Sequence, residues 1–185
     1  MKTLKESILN RSSHTGEGFK AQRREMIEKW LKEYDIQNYT INDDFTVDVN
    51  GDVDLKYKEL TEFPDYIQFG VVAGFFSCYK NQLISLRGVP RIVDGYFDCS
   101  FNQLTLLEGA PKKCHNFYCY SNYLTSLKGS PEIVESFDCR YNNLISLEGA
   151  SREVGGYFDC SNNSIIFTEE EVRKVCRVKE EIYYN

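Results

Sequence analysis

No run of about 18 apolar residues occurs in the chain, so no segment reads as a membrane-spanning helix. No long apolar core follows the lysines near the N-terminus, so no secretory signal is expected. Histidine is scarce: His14 and His115 are the only two, and no zinc-binding His pair can be drawn from them. A phosphate-cradling Gly-rich loop and a strand-turn serine elbow are missing too. Positive charge is in deficit, with 22 Lys and Arg against 28 Asp and Glu and a net charge of -6. A nucleic-acid binder shows the opposite balance along a basic stripe, whereas basic clusters here are confined to Arg23-Arg24 and Lys112-Lys113. Together these gaps predict a non-enzymatic chain with no cofactor, no metal, no nucleic acid and no membrane partner.

Cysteine, by contrast, is plentiful and ordered. Five of the seven cysteines, Cys78, Cys99, Cys119, Cys139 and Cys160, recur 20 or 21 residues apart (99−78 and 160−139 give 21; 119−99 and 139−119 give 20). That interval belongs to a solenoid repeat. Around each lies one frame: Phe76 to Leu83, Phe97 to Leu104, Phe117 to Leu124, Phe137 to Leu144 and Phe158 to Ile165. An odd total at one repeat position argues for reduced thiols and a cytoplasmic setting, not for a secreted disulfide framework.

Each repeat position has a physical task. Phe and Cys at i and i+2 of a short strand point to one side, so both enter the core. A ladder of Asn81, Asn102, Asn122, Asn142 and Asn163 supplies donors and acceptors for the backbone where each coil turns. Gly88, Gly109, Gly129 and Gly149 permit a bend, and Pro90, Pro111 and Pro131 follow two places later, leaving no room for a helix. A row of parallel thiols about 4.8 Å apart suits neither disulfide geometry nor tetrahedral zinc, so the cysteines read as small core hydrophobes. Cys114 replaces a core Val, and the Cys114-His115 pair has no third group to orient it as a nucleophile and base.

One coil cannot stand alone. Its five inward residues contribute roughly 1.5 to 3 kcal/mol each, against about 1.5 kcal/mol for each of some 20 residues ordered. Stacking must supply the rest, and the ends need covers. Residues 1–18, rich in Ser and Gly, read as a flexible leader. Residues 19–52 read as an N-terminal cap: a helix from Phe19 to Tyr34 with Met26, Ile27, Trp30, Leu31 and Tyr34 on its stripe, then a hairpin turning at Asn50-Gly51. Repeats occupy 53–167, beginning with a degenerate unit of Val53, Leu55, Lys58, Leu60 and Phe63. At 168–185 the capping box Thr168 to Glu171 opens a C-terminal capping helix that carries Val172, Val175, Cys176 and Ile182.

Outward strand positions hold the candidate binding residues: Tyr79, Tyr96, Asp98, Tyr118, Tyr120, Asp138, Arg140, Tyr157 and Asp159, with Phe101 and Tyr141 just beyond. Tyr gives a large, rigid contact with a polar tip, the property that makes it common in binding surfaces.

The spacing from Val134 through Phe137, Cys139, Asn142, Leu144 and Leu147 resembles the leucine-rich repeat. The unit of 20 to 21 residues with its Gly-x-Pro is similar to the short bacterial class. This resemblance implies an α/β-class solenoid, mostly β, of about six coils with a parallel concave sheet, an extended convex side and helical caps at both ends. On Met1 to Leu9, Tyr39 to Asp44, Gly51 to Leu55 and the F-x-C-x-x-N-x-L-x-S-L-x-G-x-P unit, the whole chain resembles leucine-rich repeat proteins of large tailed phages and gut metagenomes. Two functions are implied. One is a module binding a protein or peptide on its concave Tyr/Asp face, acting on a host protein in the host cytoplasm. The other is a packaged virion component, whose leader resembles the capsid-targeting peptides of T-even-type phages; Leu4-Lys5-Glu6 fits their cleavage motif.

Overall fold

A computed structural model describes residues 4–185, with side-chain surroundings from Gly16 onward. Met1 to Thr3 therefore lie outside the described residues, as do the side chains of the Leu4-Lys5-Glu6 motif. The chain opens with α1 (Leu4–Glu33), then β1 (Tyr39–Ile41), β2 (Val47–Val49) and β3 (Val53–Asp54). The coils follow as β4 (Phe69–Val72), β5 (Phe76–Ser77), β6 (Ile92–Val93), β7 (Phe97–Asp98), β8 (Asn116–Tyr118), β9 (Ile133–Val134), β10 (Ser136–Asp138), β11 (Glu153–Val154) and β12 (Phe158–Asp159). Last come α2 (Glu169–Val175), β13 (Arg177–Val178) and β14 (Ile182–Tyr183).

The result is a parallel β-solenoid. Its principal sheet has seven strands in the order β14-β12-β10-β8-β7-β5-β3, all paired in parallel and in register, so that Phe76, Phe97, Phe117, Phe137 and Phe158 sit side by side. Each coil makes a second strand on another side. There β2, β4 and β6 pair in parallel, as do β9, β11 and β13, with an isolated bridge from Ile92 to Lys113 between the two groups. Between Asn81, Asn102, Asn122 or Asn142 and the second strand that follows, the chain carries neither helix nor strand. Gly and Pro there forbid regular structure.

The core is a column of phenylalanines, with ring centroids 5.7, 5.6, 5.3 and 5.2 Å apart from Phe76 through Phe158. Val, Leu and Cys columns run beside it, buried. The degenerate first coil fits its expected register: Val53 pairs with Phe76, Leu55, Leu60 and Phe63 are buried, and the Lys58 N–H donates to Asn81 Oδ1 at 3.0 Å. From Phe76 to Phe158 the coils differ in length only at the corner between the two strand columns, where Val93 to Phe97 takes four steps and Cys114 to Phe117 three (97−93, 117−114).

Several expectations change. α1 is one helix of 30 residues and runs through the segment expected as a flexible leader; Gly16 and Gly18 each cost about 1 kcal/mol relative to Ala, which a helix of this length tolerates. On its stripe Ile27, Trp30 and Leu31 are buried, with Trp30 against Phe63 and Phe69, but Met26 is exposed.

The hairpin is displaced. β1 pairs antiparallel with β2 through the Asn42 to Thr46 turn, while β2 and β3, flanking Asn50-Gly51, pair in parallel with β4 and β5. Asn-Gly is a local turn signal; here each arm gains more by joining the next coil, and the dipeptide becomes a corner.

At the other end α2 stops at Val175. The Thr168 capping box forms, with Glu171 N–H donating to Thr168 Oγ1 at 3.2 Å and Thr168 N–H to Glu171 Oε2 at 2.8 Å. Beyond it Cys176 is extended, and Arg177–Val178 and Ile182–Tyr183 pair with the preceding coil as a seventh. The apparent helical spacing of Val172, Cys176 and Ile182 thus mixes two structures: Val172 and Cys176 are buried, whereas Val175 is exposed. In the last frame Phe167 fills the core and Ile165 is exposed.

Candidate interaction face

Strand alternation sends the residues between the Phe and Cys columns to the outer face of the principal sheet. Because all coils are in register, those residues form columns of their own. One reads Asp54, Ser77, Asp98, Tyr118, Asp138, Asp159 and Tyr183; its neighbour, two residues on, reads Lys56, Tyr79, Ser100, Tyr120, Arg140 and Ser161.

This face is a packed layer. Ser77 and Ser100 are fully buried, and Asp138 and Asp159, expected to stand open as binding residues, are only 3% and 6% exposed. Strands lie about 4.8 Å apart, so tyrosine rings on neighbouring strands overhang the small and acidic side chains between them. Tyr79, Tyr96, Tyr118, Tyr120 and Tyr157 are half-buried, and Phe101 and Tyr141 are exposed. Ring contacts join Tyr57 to Tyr79 at 5.6 Å, Tyr79 to Phe101 at 5.3 Å and Phe101 to Tyr120 at 5.4 Å. A second group joins Phe75, Tyr96 and Tyr118, at 4.7 and 6.1 Å.

Tyr57, Lys80, Phe101, Ser121, Tyr141 and Asn162 share one further column, and every one has φ between +52° and +58°. Bulky residues rarely adopt this left-handed conformation. The repeat imposes it where the chain leaves the strand, and so holds Tyr57, Phe101 and Tyr141 upright at the sheet's rim. Tyr57 was not foreseen as part of the face, yet Val53 to Tyr57 is the same step as Phe97 to Phe101. Lys56, 5.3 Å from the Phe75 ring centroid, was missed likewise.

The carboxylates follow one rule. Asp54, Asp98, Asp138 and Asp159 each accept through Oδ1 from the backbone N–H two residues on, at 2.9 to 3.2 Å. Oδ2 is left to meet a cation. Lys56 Nζ lies 3.5 Å from Asp54 Oδ2, Arg140 Nε 3.4 Å from Asp138 Oδ2, and Arg140 Nη1 3.5 Å from Asp159 Oδ2. The Arg140 guanidinium also lies 5.0 Å from the Tyr120 ring centroid. Burial pushes the Asp138 carboxyl up to about 7; the Arg140 N–H and charge oppose that rise, and Asp159 and Asp98 add to it. Burial raises Asp98 as well, and the Tyr120 and Tyr157 hydroxyls.

The cysteine row points inward, as free thiols. Cys78, Cys99 and Cys139 Sγ donate to carbonyls of the following coil, those of Asp98, Tyr118 and Asp159, at 3.5, 3.4 and 3.3 Å. Cys119 and Cys160 are buried in the same column. Burial drives these thiols upward. The ladder runs through Asn81, Asn102, Asn122, Asn142 and Asn163, each Nδ2 donating to the Cys carbonyl of its own coil. Cys114 is buried with its thiol pushed up to about 12, while His115 is exposed at the corner. Among the described residues no group of three His, Cys, Asp or Glu is placed to hold a metal ion, and no helix is long and apolar enough to cross a membrane. Comparison with family models, with curated proteins and with solved structures returns no match for this chain.

Proposed function

We propose that this chain is a non-enzymatic protein-interaction module of the leucine-rich repeat type, which binds a protein or peptide on the outer face of its seven-stranded sheet. The observation that carries the reading is the in-register layer of half-buried tyrosines around carboxylates, set on a rigid scaffold. Half-buried rings lose little conformational freedom when a partner covers them, and solenoid faces offer large continuous area. Catalysis has little support here, since the described thiols are buried and held protonated.

The test is affinity capture with a variant in which Tyr96, Tyr118 and Tyr157 are all changed to Ser. It should keep the wild-type circular dichroism spectrum and lose the partner that wild type retains. Undiminished capture by the folded variant would remove the proposal.

A further inference from the structure

The four outer-face aspartates use the same geometry, but only three meet a cation. Asp54 has Lys56, and Asp138 and Asp159 share Arg140; among the described residues Asp98 has no ion-pair partner. The residue in register with Arg140 two coils earlier is Ser100, too short to reach out as Arg140 does. Its hydroxyl is near enough to favour the Asp98 carboxylate, yet Ser100 is fully buried and Oγ has no partner of hydrogen-bonding geometry. An aromatic surface adjoins this position, with Tyr79, Phe101 and Tyr120 in mutual contact. Of the groups that hold Arg140, one carboxylate and the neighbouring aromatic rings recur around Asp98, while Tyr118 stands in register where Asp159 supplies the second carboxylate.

We propose that Asp98 and the adjoining Tyr79, Phe101 and Tyr120 rings form a seat for an arginine side chain of a partner protein, presented on an extended segment. The inference rests on the interaction-face reading and names the partner's chemistry. Arginine fits better than lysine because a planar guanidinium can lie on a ring and meet a carboxylate at its edge, as Arg140 does. The net charge of -6 favours approach of a cationic segment. Burial raises the Asp98 carboxyl and the Lys56 charge offsets that only in part, so an incoming positive charge gains an acceptor that water serves poorly.

The probe is a fluorescein-labelled peptide of arginines alternating with Gly and Ser, compared with its lysine and citrulline counterparts by fluorescence anisotropy at pH 8 and low salt. The arginine peptide should bind wild type, lysine more weakly, and citrulline, which keeps the shape without the charge, at least about tenfold more weakly. Asp98→Asn should lower arginine-peptide affinity about tenfold at an unchanged urea midpoint. Equal binding of arginine and citrulline peptides, or no binding of the arginine peptide, would overturn the seat, and neither result needs a variant to fold. A partner captured through Tyr96, Tyr118 and Tyr157 while the arginine peptide fails would leave the interaction face standing and remove the seat alone.

Discussion

The side-chain amide of Asn122 donates to the carbonyl oxygen of Cys99, 23 residues away, at 3.0 Å. The same nitrogen donates to Cys119 O at 3.1 Å, and Asn122 Oδ1 accepts from Leu104 N–H at 3.0 Å. One buried carboxamide thus satisfies backbone groups on two coils that have no strand partner there. Asn122→Ala should cost about 2–4 kcal/mol in urea unfolding, because it strands those groups away from water. Asn163 makes the same contacts with less cover, so Asn163→Ala should cost less. Equal losses at both sites would show that burial is not what sets the penalty.

All seven cysteines are free and buried. Burial drives Cys99, Cys119 and Cys139 far up, Cys114 and Cys160 up to about 12, and Cys176 to about 11. At pH 8 the folded protein should therefore react with Ellman's reagent no faster than it unfolds, and should release the full thiol count in denaturant. Rapid native reaction at one thiol would locate an opening in the coil stack.

The Asp138 carboxyl stands at about 7 in the folded protein, against about 4 when unfolded. Between those values the folded state holds a proton that the unfolded chain has released. Its contribution to stability is fully present below about pH 4 and is lost as pH rises through 7. Raising the pH from 5 to 8 should accordingly lower stability through this group, by on the order of 1–3 kcal/mol. Asp138→Asn should flatten that part of the profile, and a slope unchanged in the variant would assign the titration elsewhere.

Two glycines should answer alanine in opposite directions. A Cβ at Gly18 meets nothing within 4 Å in α1, so Gly18→Ala should raise stability or helical ellipticity, by up to about 1 kcal/mol. Gly129 has φ +98° and its Cβ would stand 2.6 Å from the Leu107 carbonyl oxygen, so Gly129→Ala should destabilise by more than that. No rise in helicity for Gly18→Ala would argue against a continuous α1.

The coil stack was legible because its determinants repeat. Phe, Cys, Asn and Gly fall at fixed offsets, and each offset has one physical use, so period, register and the inward thiols follow from spacing. The ends were less legible because they occur once. Asn50-Gly51 and the stretch from Val172 to Ile182 carry sound local signals that stacking overrides. On the outer face, strand alternation gave the direction of Asp138 and Asp159 but not their cover, which comes from side chains about 20 residues away on the adjoining coils. Tyr57 was hidden by a first coil that keeps the offsets and changes the letters.

The corner between the two strand columns takes up the single residue by which the coils from Phe76 to Phe158 differ, while the Phe column keeps its pairing. Among these coils, length variation is thereby confined to a joint where a backbone bond, His115 N–H to Gly95 O, still links a coil with the short corner to one with the long. A chain so jointed can be shortened or extended by whole turns, like a spring cut to order, and the tyrosine lattice on its outer side would grow or shrink in the same increments.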